Sequence, residues 1–175
     1  LFCKFFFFLY IFTLSIAIIY VGDKMNELMN QQLHALIEDT EHEISILSNA
    51  SALLNECLKD ISWAGFYLYQ NNELILGPFQ GKVACTRIPL GKGVCGNSAA
   101  DKKTYVVPNV HEFPGHIACD SASNSEIVIP ILLHGQLYGV LDIDSTSFDR
   151  FTNEDQLLLE TFVNILASRL LQLKQ

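Results

Sequence analysis

Between Asn26 and Ile61 the apolar residues Leu28, Leu33, Leu36, Ile37, Ile44, Leu47, Leu54, Leu58 and Ile61 recur at steps of mostly three and four, the spacing of helices that bury one stripe. Two helices are predicted, broken near Asp39 and Thr40. The period then shortens. Ser62 to Tyr69 is rich in aromatics, Asn71-Asn72 is a turn signal, and Glu73 to Leu76 follows, closed by Gly77-Pro78; the pattern predicts a strand hairpin. Lys82 to Ile88 reads as a further strand, Pro89 to Gly93 as a glycine-rich turn, Val94 to Lys102 as a short helix and Thr104 to Val107 as another strand. Residues 108–125, with two prolines and no sustained period, read as a long surface loop of the kind that carries sites. Glu126 to Leu133 and Gln136 to Ile143 are apolar runs joined by His134-Gly135, a two-residue hairpin link. Thr152 to Asp155 has the form of a capping box, with Asp in place of the usual Glu, and Leu158, Phe162, Ile165, Leu166 and Leu173 form one stripe of the helix behind it. Terminal helices around five or six strands, mostly in hairpins, imply an α+β domain: a mostly antiparallel central sheet with the terminal helices packed on one face.

The hydrophobicity is unevenly spread. Phe5 to Val21 is an uncharged run of 17 residues behind Lys4, short for a bilayer span. No small-residue cleavage pattern precedes Asp23, and a polar segment opens at Met25. Residues 1–22 are therefore expected to be a hydrophobic leader, a signal anchor or a segment outside the mature soluble protein, and residues 23–175 one domain. Membrane contact is expected only if that leader is retained. The formal charge is −8, from 11 Lys plus Arg against 19 Asp plus Glu, with no basic cluster, so a phosphate backbone is repelled and nucleic acid is a poor partner. Five cysteines, at 3, 57, 85, 95 and 119, include no CxxC pair; neither structural zinc nor a stapled secreted scaffold is indicated, and a reducing, cytoplasmic setting fits better.

Three cysteines fall in the loop-rich middle: Cys85, Cys95 and Cys119. One reading is inert side chains; the other is a reactive thiol with a resolving partner, since a sulfenic acid on one cysteine is relieved by condensation with another. Cys57, at helical spacing from Leu54, Leu58 and Ile61, reads as a small buried hydrophobe. Asp142 and Asp144, two apart at the end of an apolar strand, point to one face, and Glu126 opens the strand across the hairpin. They are either solvated carboxylates at a sheet edge or an acidic pocket for an ammonium group, in which a carboxyl deprived of water becomes a proton donor. Two motifs are decoys. The segment from Asp142 to Thr146 matches the DxDxT of haloacid-dehalogenase phosphatases without that family's fold, and His111 to His116 mimics a metalloprotease helix that Pro114 and Gly115 interrupt.

In order along the chain, Trp63 to Tyr67 (WAGFY), Leu76 to Gly81 (LGPFQG), Gly91 to Gly96 (GKGVCG), Gly115 to Asp120 (GHIACD), Ala122 to Glu126 (ASNSE) and Gly139 to Ser145 (GVLDIDS) resemble the free methionine-(R)-sulfoxide reductases, GAF-domain enzymes that act on the free amino acid. The resemblance runs from about Asn26 to Leu171 and implies a GAF-like fold and thiol-dependent reduction of free L-methionine (R)-S-oxide to L-methionine. It implies Cys119 as nucleophile, Cys85 as principal resolving thiol and Cys95 as a third cysteine able to join disulfide exchange. Glu126, Asp142 and Asp144 correspond to the carboxylates around the substrate and Trp63 to the aromatic wall beside its methylthio end. No cofactor or metal is implied; a thioredoxin-like reductant is, and the apolar helix stripes allow a homodimer. The rival reading is a GAF-type sensing module that binds a small molecule without turnover.

Overall fold

The computed structural model of the protein describes residues 28–117 and 119–174; the hydrophobic leader, residues 1–22, lies outside them. Helix α1 covers 28–37 and α2 Glu43–Cys57; then come β1 (Trp63–Gln70), β2 (Glu73–Gly81), β3 (Arg87–Pro89), α3 (Gly93–Asp101), β4 (Tyr105–Val107), β5 (Ser125–Leu133), β6 (Gln136–Ser145) and α4 (Asn153–Gln172). The six strands form one sheet in the order β3-β2-β1-β6-β5-β4, every pairing antiparallel. Among the described residues no helix is long and apolar enough to cross a membrane.

Two tight turns set the register. Asn71 and Asn72 both take positive φ (50° and 67°), as do His134 and Gly135 (50° and 74°), the paired left-handed conformation whose twist matches the strands it joins. Period-two alternation then sorts the side chains onto two faces. Ala64, Phe66, Ile127, Ile129, Ile131, Leu141 and Ile143 pack with Leu33, Ile37, Leu47, Leu54, Phe162 and Leu166 of the helices, all buried, each of the larger side chains contributing roughly 1.5–3 kcal/mol by leaving water. Gly139 lets β6 approach β1 here, since a Cβ would fall onto the Tyr67 carbonyl oxygen. The opposite face carries Trp63, Tyr67, Val128 and Val140 under α3. The expected helical cover of one face is thus present, and a second, shorter helix covers the other. The capping box closes α4: Thr152 Oγ1 accepts from the Asp155 backbone N–H (3.2 Å) and Asp155 Oδ2 accepts from that of Thr152 (2.8 Å).

Several boundaries differ from the pattern reading. Leu28, Leu36 and Ile44 are exposed, whereas Met29, Leu33, Ile37 and Ile46 face the core, and α2 ends at Cys57 instead of reaching Ile61. On α4 the fully buried stripe is Leu159, Phe162, Val163, Leu166 and Leu170, with Leu158, Ile165 and Leu173 at its margin. Gly77-Pro78 does not end β2; the register slips there and the strand continues to Gly81. Pro78 is tolerated because β3 pairs only with Glu73 to Ile75, which leaves that stretch of β2 an edge where no N–H is required. Of the segment 82–88 only Arg87 and Ile88 are in a strand. The remainder is a loop whose carbonyls are taken by side chains, as described next.

Candidate active site

The site is built on the sheet face turned away from the long helices. Register places Trp63 opposite Asp144 and Asp144 opposite Glu126, one row across β1, β6 and β5; the next row is Gly65, Asp142 and Val128. Directly opposed residues share a face, so the three carboxyls gather beside one indole. Trp63 stacks between Tyr67 (ring centroids 5.8 Å apart) and Phe79 (5.2 Å). Gly65 makes the stack possible: a Cβ there would meet both the Phe79 side chain and the Trp63 ring.

Two loops roof this floor. The first, residues 82–86, is held by the sheet's aromatics: Trp63 Nε1 donates to the Lys82 carbonyl (3.1 Å) and the Tyr67 hydroxyl to the Cys85 carbonyl (3.0 Å). The second carries Cys119 and Asp120. Asp120 accepts from the Ala122 backbone N–H (2.9 Å) and pairs with Lys82 Nζ (3.2 Å) on the first loop. A disulfide between Cys85 and Cys119, 34 residues apart in sequence, joins the loops, with their Cα atoms 5.2 Å apart. Beneath lies a narrow cleft, open at its mouth, lined among others by Trp63, Tyr67, Cys95, Cys119, Glu126, Asp142 and Asp144.

Among the described residues the cleft has no cationic side chain in its lining. Burial therefore dominates the acids. It pushes the Asp142 carboxyl up to about 6, with Cys95 and Glu126 pulling the other way by hydrogen bonding. Glu126 and Asp144 are raised well above the ordinary carboxylate range, again by burial first and then by repulsion from Asp142. The Cys95 thiol is raised by the same two effects; its Sγ lies 3.7 Å from Glu126 Oε1. Asp142 Oδ1 is buried with no hydrogen-bond partner among the described residues, on a side chain only 6% exposed. An acidic hollow with an idle acceptor, rimmed by a stacked indole and a redox-capable sulfur, suits a small cationic or zwitterionic guest with an apolar end.

The structure brings together every candidate site residue. Trp63, Cys95, Cys119, Glu126, Asp142 and Asp144 line one cleft, and Cys85 reaches it through its bond to Cys119. Cys95 lies on the expected short helix, α3, buried and outside any disulfide. Cys57, expected to be buried, is half-buried at the end of α2. His111 is hydrogen-bonded to Asn124 (2.9 Å), with its ring 6.4 Å from that of His116. Tyr67, Asp120 and Ser123 were not singled out as site residues. Tyr67 was legible, since positions 63 and 67 share a strand face; Asp120 and Ser123 gave no periodic signal.

A single curled sheet holding a ligand cleft under two loops defines a GAF domain, and the GAF domain model matches residues 33–170. A free methionine-R-sulfoxide reductase of Escherichia coli K12 is 55% identical over 128 residues, 73% of this chain and 78% of that protein. The structure of fRMsr of Staphylococcus aureus in complex with its substrate superposes with a TM-score of 0.80 at 53% identity, covering 83% of this chain and 95% of that one. Free methionine-R-sulfoxide reductase of Neisseria meningitidis in complex with its substrate gives 0.81 at 41% identity, over 85% and 89%. The chain belongs to the free methionine-R-sulfoxide reductase family of GAF domains.

Proposed function

We propose that this protein is an oxidoreductase acting on sulfur, which reduces free L-methionine (R)-S-oxide to L-methionine with Cys119 as nucleophile. One observation carries the reading: Cys119, already joined to Cys85, lines the same cleft as Glu126, Asp142 and Asp144. The reduced Cys119 thiolate attacks the sulfoxide sulfur and takes its oxygen as a proton arrives from one of the buried carboxyls, whose hold on its proton burial strengthens. Methionine leaves, and Cys119 is left as a sulfenic acid. The Cys85 thiol condenses with it, forming the disulfide and expelling water. In sum, two thiols and one sulfoxide give one disulfide, one thioether and one water.

The carboxylates also account for preference for the free amino acid. An ammonium group offsets their mutual repulsion, whereas a peptide nitrogen has no charge and leaves them buried and unpaired. Trp63 and its stacked neighbours supply the apolar wall for the methylthio end. Cys95, buried and hydrogen-bonded to Glu126, is assigned a later part in thiol exchange. Turnover requires an external dithiol, which we assign to a thioredoxin-type reductant in the cytoplasm. Exposed Leu28, Leu36 and Ile44 on α1 and α2 are where a second copy would pack in a homodimer.

The test is an assay with a dithiol and four substrates: both epimers of free methionine sulfoxide and of its N-acetyl derivative. Reduction of the free R epimer alone supports the reading. Equal turnover of the acetylated form would remove the role given to the acids, and binding without turnover would leave a sensing module.

A further inference from the structure

The sequence shows no metal-ligand spacing, because the residues concerned come from three distant elements. Folding brings Cys95 Sγ on α3 and carboxylate oxygens of Glu126 on β5 and Asp142 on β6 within 4.8 Å of one another. Cys95 Sγ and Glu126 Oε1 are 3.7 Å apart. Two ligands at the usual zinc distances to sulfur and oxygen, held tetrahedrally, stand about 3.6 Å apart. A second observation points to a guest here: Asp142 Oδ1, on a side chain only 6% exposed, is a buried acceptor with no partner among the described residues.

We propose that Cys95, Glu126 and Asp142 form a site for Zn²⁺, or another thiophilic divalent cation, which occupies the cleft in place of substrate and holds the enzyme inactive. A mixed thiolate and carboxylate set suits a borderline-soft ion of low coordination number, whereas Ca²⁺ and Mg²⁺ require six or more oxygens or a water shell that this narrow hollow does not supply. Binding displaces the protons held by the thiol and the acids, so affinity rises with pH. The fourth coordination position opens to the cleft, where water or the sulfur of reduced Cys119 completes it. The inhibitory part rests on the reading that methionine sulfoxide binds at these acids.

The experiment uses the full chain with the Cys85–Cys119 disulfide kept oxidised, so that those two sulfurs cannot bind metal. Zn²⁺ is titrated in competition with a chromogenic chelator, with Ca²⁺ as the hard-ion control and a Cys3→Ser/Cys57→Ser variant as the thiol control. The expected result is one equivalent of Zn²⁺, unchanged in the control variant and weakened at least about tenfold in Cys95→Ser and in Glu126→Gln, with free methionine sulfoxide displacing the ion. Uptake that survives both site variants, equal binding of Ca²⁺, or Zn²⁺ that methionine sulfoxide does not displace would overturn the proposal. Two variants are used so that one misfolded protein does not decide the outcome. Uptake is read without turnover, so a failure of the reductase reading shows separately, as no methionine formed by the metal-free reduced enzyme.

Discussion

Asp142 is a buried group whose charge the fold does not repay, and replacing it with asparagine measures that deficit. Its carboxyl is raised from 3.8 to about 6, chiefly by burial, and the residue is only 6% exposed. A rise of about two pH units corresponds to about 3 kcal/mol. The sign follows from proton binding: the folded state holds the proton more tightly than the unfolded chain, so the penalty is absent below about pH 4 and complete above about pH 6. Asp142→Asn keeps the shape, removes the charge and relieves Glu126 and Asp144, which Asp142 repels. The variant is expected to be more stable than wild type by about 2–3 kcal/mol at pH 8 and by only about 1 kcal/mol at pH 4.5. That is a gain of roughly 5–10 °C in Tm for a chain of this size at the higher pH. Urea unfolding with the disulfide intact, read by the fluorescence of Trp63, the only tryptophan, provides the comparison, and kcat/KM for methionine sulfoxide should fall in the same protein. Equal stability differences at both pH values, or a loss at pH 8, would refute the view that the acids store a charging penalty which the substrate relieves.

Two other predictions concern the thiols. In the reduced, empty cleft three carboxyls oppose ionisation of Cys119, so its pKa, followed by thiol alkylation against pH, should fall when methionine is bound; an equal or higher value in the complex contradicts the role of the ammonium. Lys82 and Asp120 tie the two cysteine-bearing loops together across the rim. Lys82→Ala should shift the Cys85–Cys119 equilibrium against glutathione toward the dithiol by about two- to fivefold, mimicked in wild type by high salt and reversed by the exchange Lys82→Asp with Asp120→Lys. No shift, or one that salt does not reproduce, leaves the pair without a positioning role.

Much of this was legible in the chain because the signals were local. Both two-residue turns needed positive φ and carried asparagine, histidine or glycine; the Thr152 cap needed an acceptor three residues on; and alternate positions put Asp142 and Asp144 on one face. What the pattern missed depends on partners distant in sequence. Gly77-Pro78 looks like a stop but is a register slip on an edge. The run 82–86 alternates like a strand, yet its carbonyls go to Trp63 and Tyr67, so it becomes the loop that offers Cys85 to Cys119. Cys95 stands beside glycines on the predicted short helix, but its contact with Glu126 on a distant strand has no local signal. The hydrophobic periodicity of α1 misplaced Leu28 and Leu36, since the helix buries the Met29, Leu33 and Ile37 stripe instead.

In the proposed reaction one sulfur, at position 119, receives the oxygen of a free sulfoxide and passes it to water through Cys85. A single turnover follows that oxygen. Fully reduced protein is mixed with excess free L-methionine (R)-S-oxide and no reductant, methionine is counted, and the cysteines are mapped by mass spectrometry after dione trapping. The expected result is a first turnover that yields one methionine and one Cys85–Cys119 disulfide per chain, one methionine with a trapped sulfenic acid at Cys119 in Cys85→Ser, and none in Cys119→Ser. Methionine formed by Cys119→Ser at the wild-type yield would contradict it.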